Sequence, residues 1–159
     1  MLNIQEIELA NSDEVSVRTM LANNKDTSTQ TLDKLSEDEN EFVRIRVAAH
    51  TNVSPETLVK LSKDDSRFVR QFVAENISTP VDTLIELSKD TQAAYWIAGN
   101  PNTPIDILND LSADEDENIR SSVAVNPSTP KETLDKLSVD LNEDVRAAVV
   151  KNPNTSKSL

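Results

Sequence analysis

A unit of 26 residues repeats along this chain, and a repeat of that length constrains the fold more than any other feature. The segments Leu32-Asp-Lys-Leu-Ser36, Leu58-Val-Lys-Leu-Ser62, Leu84-Ile-Glu-Leu-Ser88, Leu108-Asn-Asp-Leu-Ser112 and Leu134-Asp-Lys-Leu-Ser138 recur at that spacing, apart from one step of 24 between Leu84 and Leu108. A second block pairs an aliphatic residue with arginine at Val17-Arg18, Val43-Arg44, Val69-Arg70, Ile119-Arg120 and Val145-Arg146. Val47-Ala48, Val73-Ala74 and Val123-Ala124 follow it four and five residues later. The unit closes with Asn100-Pro-Asn-Thr-Pro104, Asn126-Pro-Ser-Thr-Pro130 and Asn152-Pro-Asn-Thr155.

Each block has a physical reading. Leucines three apart share one helix face, so Leu-x-x-Leu predicts a short first helix in every unit. In Thr79-Pro80-Val81-Asp82 and its counterparts at Thr103 and Thr129, the threonine is expected to cap that helix, the proline to take its first position and the acid to complete a capping box. Ser54-Pro55 is expected to start its helix one residue late. An acidic loop such as Glu37-Asp38-Glu39-Asn40-Glu41 suits the start of a second helix, where the dipole favours negative charge. That helix should end at Asn24, Asn76, Asn100, Asn126 or Asn152, asparagine being tolerant of a left-handed C-cap. The spacing leaves open whether the first helix is α or 3₁₀.

One such pair cannot bury its apolar stripe alone, so neighbouring pairs must stack. The expected fold is all-α: a right-handed α-solenoid of about five to six helix-pair repeats forming a single domain over 1–159. Its units run approximately 1–26, 27–52, 53–78, 79–102, 103–128 and 129–154, with 155–159 as the truncated start of a further one.

The joint motif D-x-x-x-x-V-R-x-x-V-A-x-N-P-x-T-P-x-x-x-L-x-x-L-S resembles the leucine-rich repeat variant family, and its Val-Arg half is also similar to HEAT repeats. The resemblance runs from about Ile7 to Thr155 and implies a superhelix that alternates an α-helix with a shorter, sometimes 3₁₀, helix. It also implies binding rather than catalysis, although solenoids host many functions. The cysteine cluster that holds an iron–sulfur centre in that family's best-known member has no counterpart in a chain without cysteine. No cofactor is therefore expected.

Other chemistry finds little support. A net charge of −12 disfavours nucleic acid and anionic membranes as partners, although some HEAT-like solenoids are DNA-repair enzymes. No run approaches a membrane span and the start lacks a signal-peptide pattern, so a cytoplasmic protein is expected. Asp114-Glu115-Asp116-Glu117 lacks the glycine of a calcium loop. His50, the only histidine, stands where other units carry asparagine and reads as a variant cap rather than a metal ligand. The recurring Asp38/Arg44, Asp64/Arg70, Asp114/Arg120 and Asp140/Arg146 read as a structural ladder in which each aspartate caps the second helix and the arginine bonds to it or to a neighbouring unit, because a catalytic residue has no reason to recur in every unit.

One feature stands apart from the framework. All five aromatics lie at variable positions of the second helices: Phe42, Phe68, Phe72, Tyr95 and Trp96. With Ile45, Arg46, Gln71 and Glu75 they form the candidate surface for a protein or peptide partner, with a basic one favoured by charge. The irregular repeat that carries Tyr95 and Trp96 replaces Val-Arg by Ala93-Ala94, shortens its loop by two residues and holds the only glycine, Gly99. A purely structural segment that associates weakly end to end, otherwise monomeric, is the alternative that the chain's two ends suggest.

Overall fold

A computed structural model describes residues 4–155; residues 156–159, part of the expected start of a further unit, lie outside the described residues. Twelve α-helices and no strand occur among the described residues. In chain order they are α1 (Ile4–Ala10), α2 (Val15–Asn23), α3 (Thr29–Leu35), α4 (Glu41–Ala48), α5 (Pro55–Leu61), α6 (Arg67–Glu75), α7 (Val81–Leu87), α8 (Ala94–Gly99), α9 (Ile105–Leu111), α10 (Glu117–Val125), α11 (Lys131–Leu137) and α12 (Glu143–Lys151). Odd-numbered helices are the first of each pair and even-numbered ones the second, as the repeat predicts for an α-solenoid. The chain divides into two compact units, 1–83 and 84–159.

The first helix is α throughout, and from α3 to α11 it is always seven residues long. Its end is set by the serine after Leu-x-x-Leu, whose hydroxyl donates to the carbonyl three residues back: Ser36 to Asp33 O at 2.5 Å, Ser62 to Val59 O at 2.7 Å and Ser112 to Asn109 O at 2.6 Å. Its start differs from the sequence reading. The N-cap column holds Ser28, Ser54, Pro104 and Pro130, so Ser54-Pro55 is in register rather than one residue late. Ser28 and Ser54 accept from the N–H of Thr31 and Thr57, whereas the prolines offer no capping side chain and no capping box forms there.

The threonine one residue earlier works on the other helix. Thr27, Thr79, Thr103 and Thr129 are buried, and each hydroxyl donates at 2.6 Å to the second-helix carbonyl six residues back, namely Leu21 O, Val73 O, Ile97 O and Val123 O. Each of these carbonyls lies in the last turn, where it accepts only the N–H of the terminal asparagine from the backbone, and the tight Asn-x-x-Thr turn brings the hydroxyl to it as a second donor. Asparagine likewise ends each second helix without a left-handed turn: Asn24, Asn76, Asn100, Asn126 and Asn152 are all extended, and no described residue has positive φ.

Packing is thin and layered. In the first unit Leu32, Leu35, Val43, Val47, Leu58, Leu61, Val69 and Val73 are buried almost completely, with Ala48 and Ala74 between helices. In the second, Leu108, Leu134, Val123, Val145 and Val149 surround Ala94, Ala98, Ala124 and Ala148. Each such leucine contributes about 2 kcal/mol of burial. No helix among the described residues is long and apolar enough to cross a membrane.

Candidate functional site

Two ladders of side chains fix the spacing of the second helices, and with it everything that faces outward. The first is made by arginine. Arg44 donates from Nε and Nη2 to Asp64 at 2.7 and 3.0 Å, while its Nη1 holds Asp38 O of its own repeat at 2.8 Å. Arg18 with Asp38 and Arg120 with Asp140 repeat this geometry, the Nε contacts being 2.6 and 2.8 Å. The ion pair thus joins successive repeats rather than the two residues of one repeat. The aspartate stands two residues ahead of the second helix's N-cap, where its Oδ1 accepts the N–H of Asn40, Ser66 or Asn142.

Burial alone pushes the carboxyls of Asp38 and Asp64 up, but the facing guanidinium and the backbone N–H outweigh it, and both lie below the ordinary aspartate range. The Arg120 hydrogen bond does the same for Asp140, where burial opposes it less.

The second ladder is made by asparagine. The Asn126 amide donates to Ala98 O and Asn100 O at 2.6 and 2.8 Å, and that of Asn152 to Ala124 O and Asn126 O, both at 2.8 Å. Asn76 reaches Ala48 O at 2.7 Å and His50 O at 3.2 Å. In each case the Oδ1 accepts the N–H two residues on. His50 substitutes for both ends of such an amide: Nδ1 accepts from Asn52 N–H and Nε2 faces Asn24 O, each at 2.9 Å. That pattern suits the tautomer protonated at Nε2, and both ring nitrogens are used in framework.

The candidate partner-binding residues are distributed unevenly. Phe42, Ile45 and Arg46 lie on α4, and Phe68, Gln71, Phe72 and Glu75 on α6. Phe42 is 62 % exposed, and Phe68 is stacked beneath the Arg67 guanidinium at 4.8 Å. Phe72 and Glu75 come together with Ala49, Thr51 and Ile77 around a hollow of about 320 Å³, towards the C-terminal ends of α4 and α6. Arg46 lines a second hollow of about 200 Å³ with Lys25 and His50, and Ala49 and Thr51 belong to both. Phe42, Ile45, Phe68 and Gln71 line neither of these hollows. In the other unit Tyr95 is exposed and Trp96 half-buried on α8, with the rings edge to face at 5.2 Å.

Three contributors escaped the sequence reading: Lys25, Thr51 and Ile77, the last 69 % exposed. A signal was there to find. They occupy the column after the terminal asparagine, where the later repeats have Pro101, Pro127 and Pro153. Among the described residues no group of three or more metal-ligating side chains could hold an ion.

No protein-family model matches the chain, and no curated protein is similar to it. Solved structures are. A leucine-rich repeat variant described as having a novel repetitive structural motif is 26% identical, with a TM-score of 0.66 over 91% of this chain. This chain spans 58% of that protein's length. Two designed armadillo repeat proteins, each 18% identical over 92% of this chain and 96% of their own, give TM-scores of 0.52 and 0.54, and the second was solved in complex with the peptide (KR)4. The resemblance read from the sequence therefore holds in the fold: the chain is an α-helical repeat solenoid built like the leucine-rich repeat variant.

Proposed function

We propose that the chain is a non-catalytic recognition scaffold that takes up a peptide, or a segment of another protein, along its second helices. The observation that carries this reading is the hollow lined by Phe72, Glu75 and Ile77 with Ala49 and Thr51. Most of its walls come from columns that vary between repeats, and the ladder residue Asn76 with Ser78 completes the lining. Its volume of about 320 Å³ admits one or two side chains, and it joins apolar walls to a carboxylate, the mixture expected of a specific subsite. Phe42 on α4 and, in residues 84–159, Tyr95 on α8 add exposed aromatic surface of the kind enriched in interface anchors.

The overall charge of −12 favours a partner with basic character, chiefly through association rate and specificity. A designed armadillo repeat protein of similar fold was solved with the peptide (KR)4, which supports peptides as the class of ligand.

Screening a displayed random peptide library against the full chain tests the reading. Enriched peptides should lose about ten-fold or more in affinity against Ile77→Ser and Phe72→Ala, with circular dichroism confirming that both variants fold. Ile77 is exposed, so its replacement leaves the core untouched. Peptides that bind both folded variants as tightly as the parent would place recognition on another face.

A further inference from the structure

The two hollows of residues 1–83 share a wall and carry opposite charge. On one side of Ala49 and Thr51 stand Lys25 and Arg46; on the other stand Glu75 and the apolar walls Phe72 and Ile77. Among the described residues the side chains of Lys25, Arg46 and Glu75 have no hydrogen-bond or ion-pair partner, unlike Arg18 and Arg44, whose guanidinium groups are engaged in the ladder. Two free cations facing one hollow, in a chain with 28 acids and 16 bases, set this place apart from the acidic surface at large. His50 between them is committed to the backbone through both nitrogens, so the charge of the first hollow comes from Lys25 and Arg46.

We infer that this groove selects a peptide of mixed charge: a lysine or arginine of the ligand enters the Phe72–Glu75–Ile77 hollow, and an acidic residue about three positions away meets Lys25 and Arg46. The inference rests on the peptide-recognition reading and narrows it. In the larger hollow the aliphatic stem of a lysine or arginine lies along Phe72 and Ile77 and its head reaches the Glu75 carboxylate, with the Phe72 ring face adding cation–π attraction. A uniformly basic peptide puts its next cation against Arg46 and Lys25, and like charges brought together oppose binding. The spacing follows from packing. Neighbouring helices stand about 8–10 Å apart, and an extended polyproline II segment returns to the same face every three residues, about 9 Å further on.

Fluorescence anisotropy with three kinds of labelled peptide, four of equal length in all, tests this on the full chain. One carries arginine and glutamate three residues apart, in both orders, on a Pro-Ala background; the second carries arginine at both places; the third carries glutamate at both. The mixed peptide, in one of its orders, should bind about ten-fold more tightly than either of the others. Arg46→Glu should turn the preference towards the all-arginine peptide, and Glu75→Lys towards the all-glutamate one; both residues are exposed, so both variants should fold. Preference of the parent for the all-arginine peptide, or variants that shift all three alike, would overturn the inference. Equal binding of all three that is lost in Ile77→Ser overturns charge selection and leaves peptide recognition standing. No binding by any of them overturns the inference, while the library screen decides the broader reading independently.

Discussion

The joint between α4 and α6 and the joint between α8 and α10 occupy the same place in the repeat, yet they are held differently. At the first, Arg44 clamps Asp64 and also ties down the loop carbonyl of Asp38, and the Asn76 amide bridges Ala48 O and His50 O. At the second, Ala94 stands in the arginine column. The Asp114 carboxylate accepts the N–H of Asp116 and makes no ion pair with a described residue, Arg120 holding only the backbone carbonyl of Asp114. What remains is the asparagine rung at Asn126, buried to 1 % exposure, with the Ser122 hydroxyl donating to Tyr95 O at 3.2 Å. The joint between α2 and α4 shows the converse: the Arg18–Asp38 rung is intact, and His50 makes a single contact where an asparagine makes two. Each of these three joints keeps at least one rung complete. The two ladders back each other up, so a repeat can give up one of them and still hold its spacing.

The largest effect should come where only one rung is left. Asn126→Ala removes two buried hydrogen bonds, to Ala98 O and Asn100 O, at a joint without an arginine, and should lower unfolding free energy by about 2–3 kcal/mol in urea titrations. Asn76→Ala, at a joint that retains Arg44, should lose distinctly less. Arg44→Ala should follow at about 2 kcal/mol, since it leaves the largely buried Asp64 carboxylate unpaired. Asp114→Ala, at the joint with no arginine rung to break, should stay within about 0.5 kcal/mol of the parent.

Acid sharpens the same contrast. The carboxyls of Asp38, Asp64 and Asp140 lie lower in the folded chain than when unfolded. Their contribution is therefore complete above the ordinary aspartate value of about 4 and is lost as pH falls through the folded values. Asp64→Asn should flatten the loss of stability as pH falls below about 4. His50→Ala should cost about 1 kcal/mol, with His50→Asn recovering most of it as the ladder regains its usual member. Gly99→Ala is the smallest. Its new Cβ would meet Ser122 Oγ at 3.2 Å, which offsets the gain of about 1 kcal/mol in helix propensity. Adding Ser122→Ala should release that gain.

The repeat made most of the fold legible. Leu-x-x-Leu located every first helix from α3 onward, and Val-Arg located second helices such as α4, α6, α10 and α12. What stayed hidden was the direction of polar side chains. Thr79 before Pro80 has the composition of an N-cap, yet its hydroxyl closes the helix behind it, because burial leaves the Val73 carbonyl as the acceptor in reach. Asp38 and Arg44 stand six apart in one unit, and their spacing left open whether the arginine bonds within its unit or to a neighbour; the ion pair crosses to the neighbouring repeat. Phe72 and Glu75 were visible as departures from their columns. Lys25, Thr51 and Ile77 passed unnoticed because the eye rests on the proline that replaces them later, not on its absence earlier. That column is what separates a framework turn from the wall of a hollow.

A double-mutant cycle on Arg44 and Asn76, followed by urea unfolding, tests most directly whether the two ladders support each other. Removing both should cost at least about 1 kcal/mol more than the sum of the single losses, because each rung alone still holds the α4–α6 spacing. Losses that add to within about 0.5 kcal/mol would show that the rungs act independently, and would contradict the reading of two mutually supporting ladders.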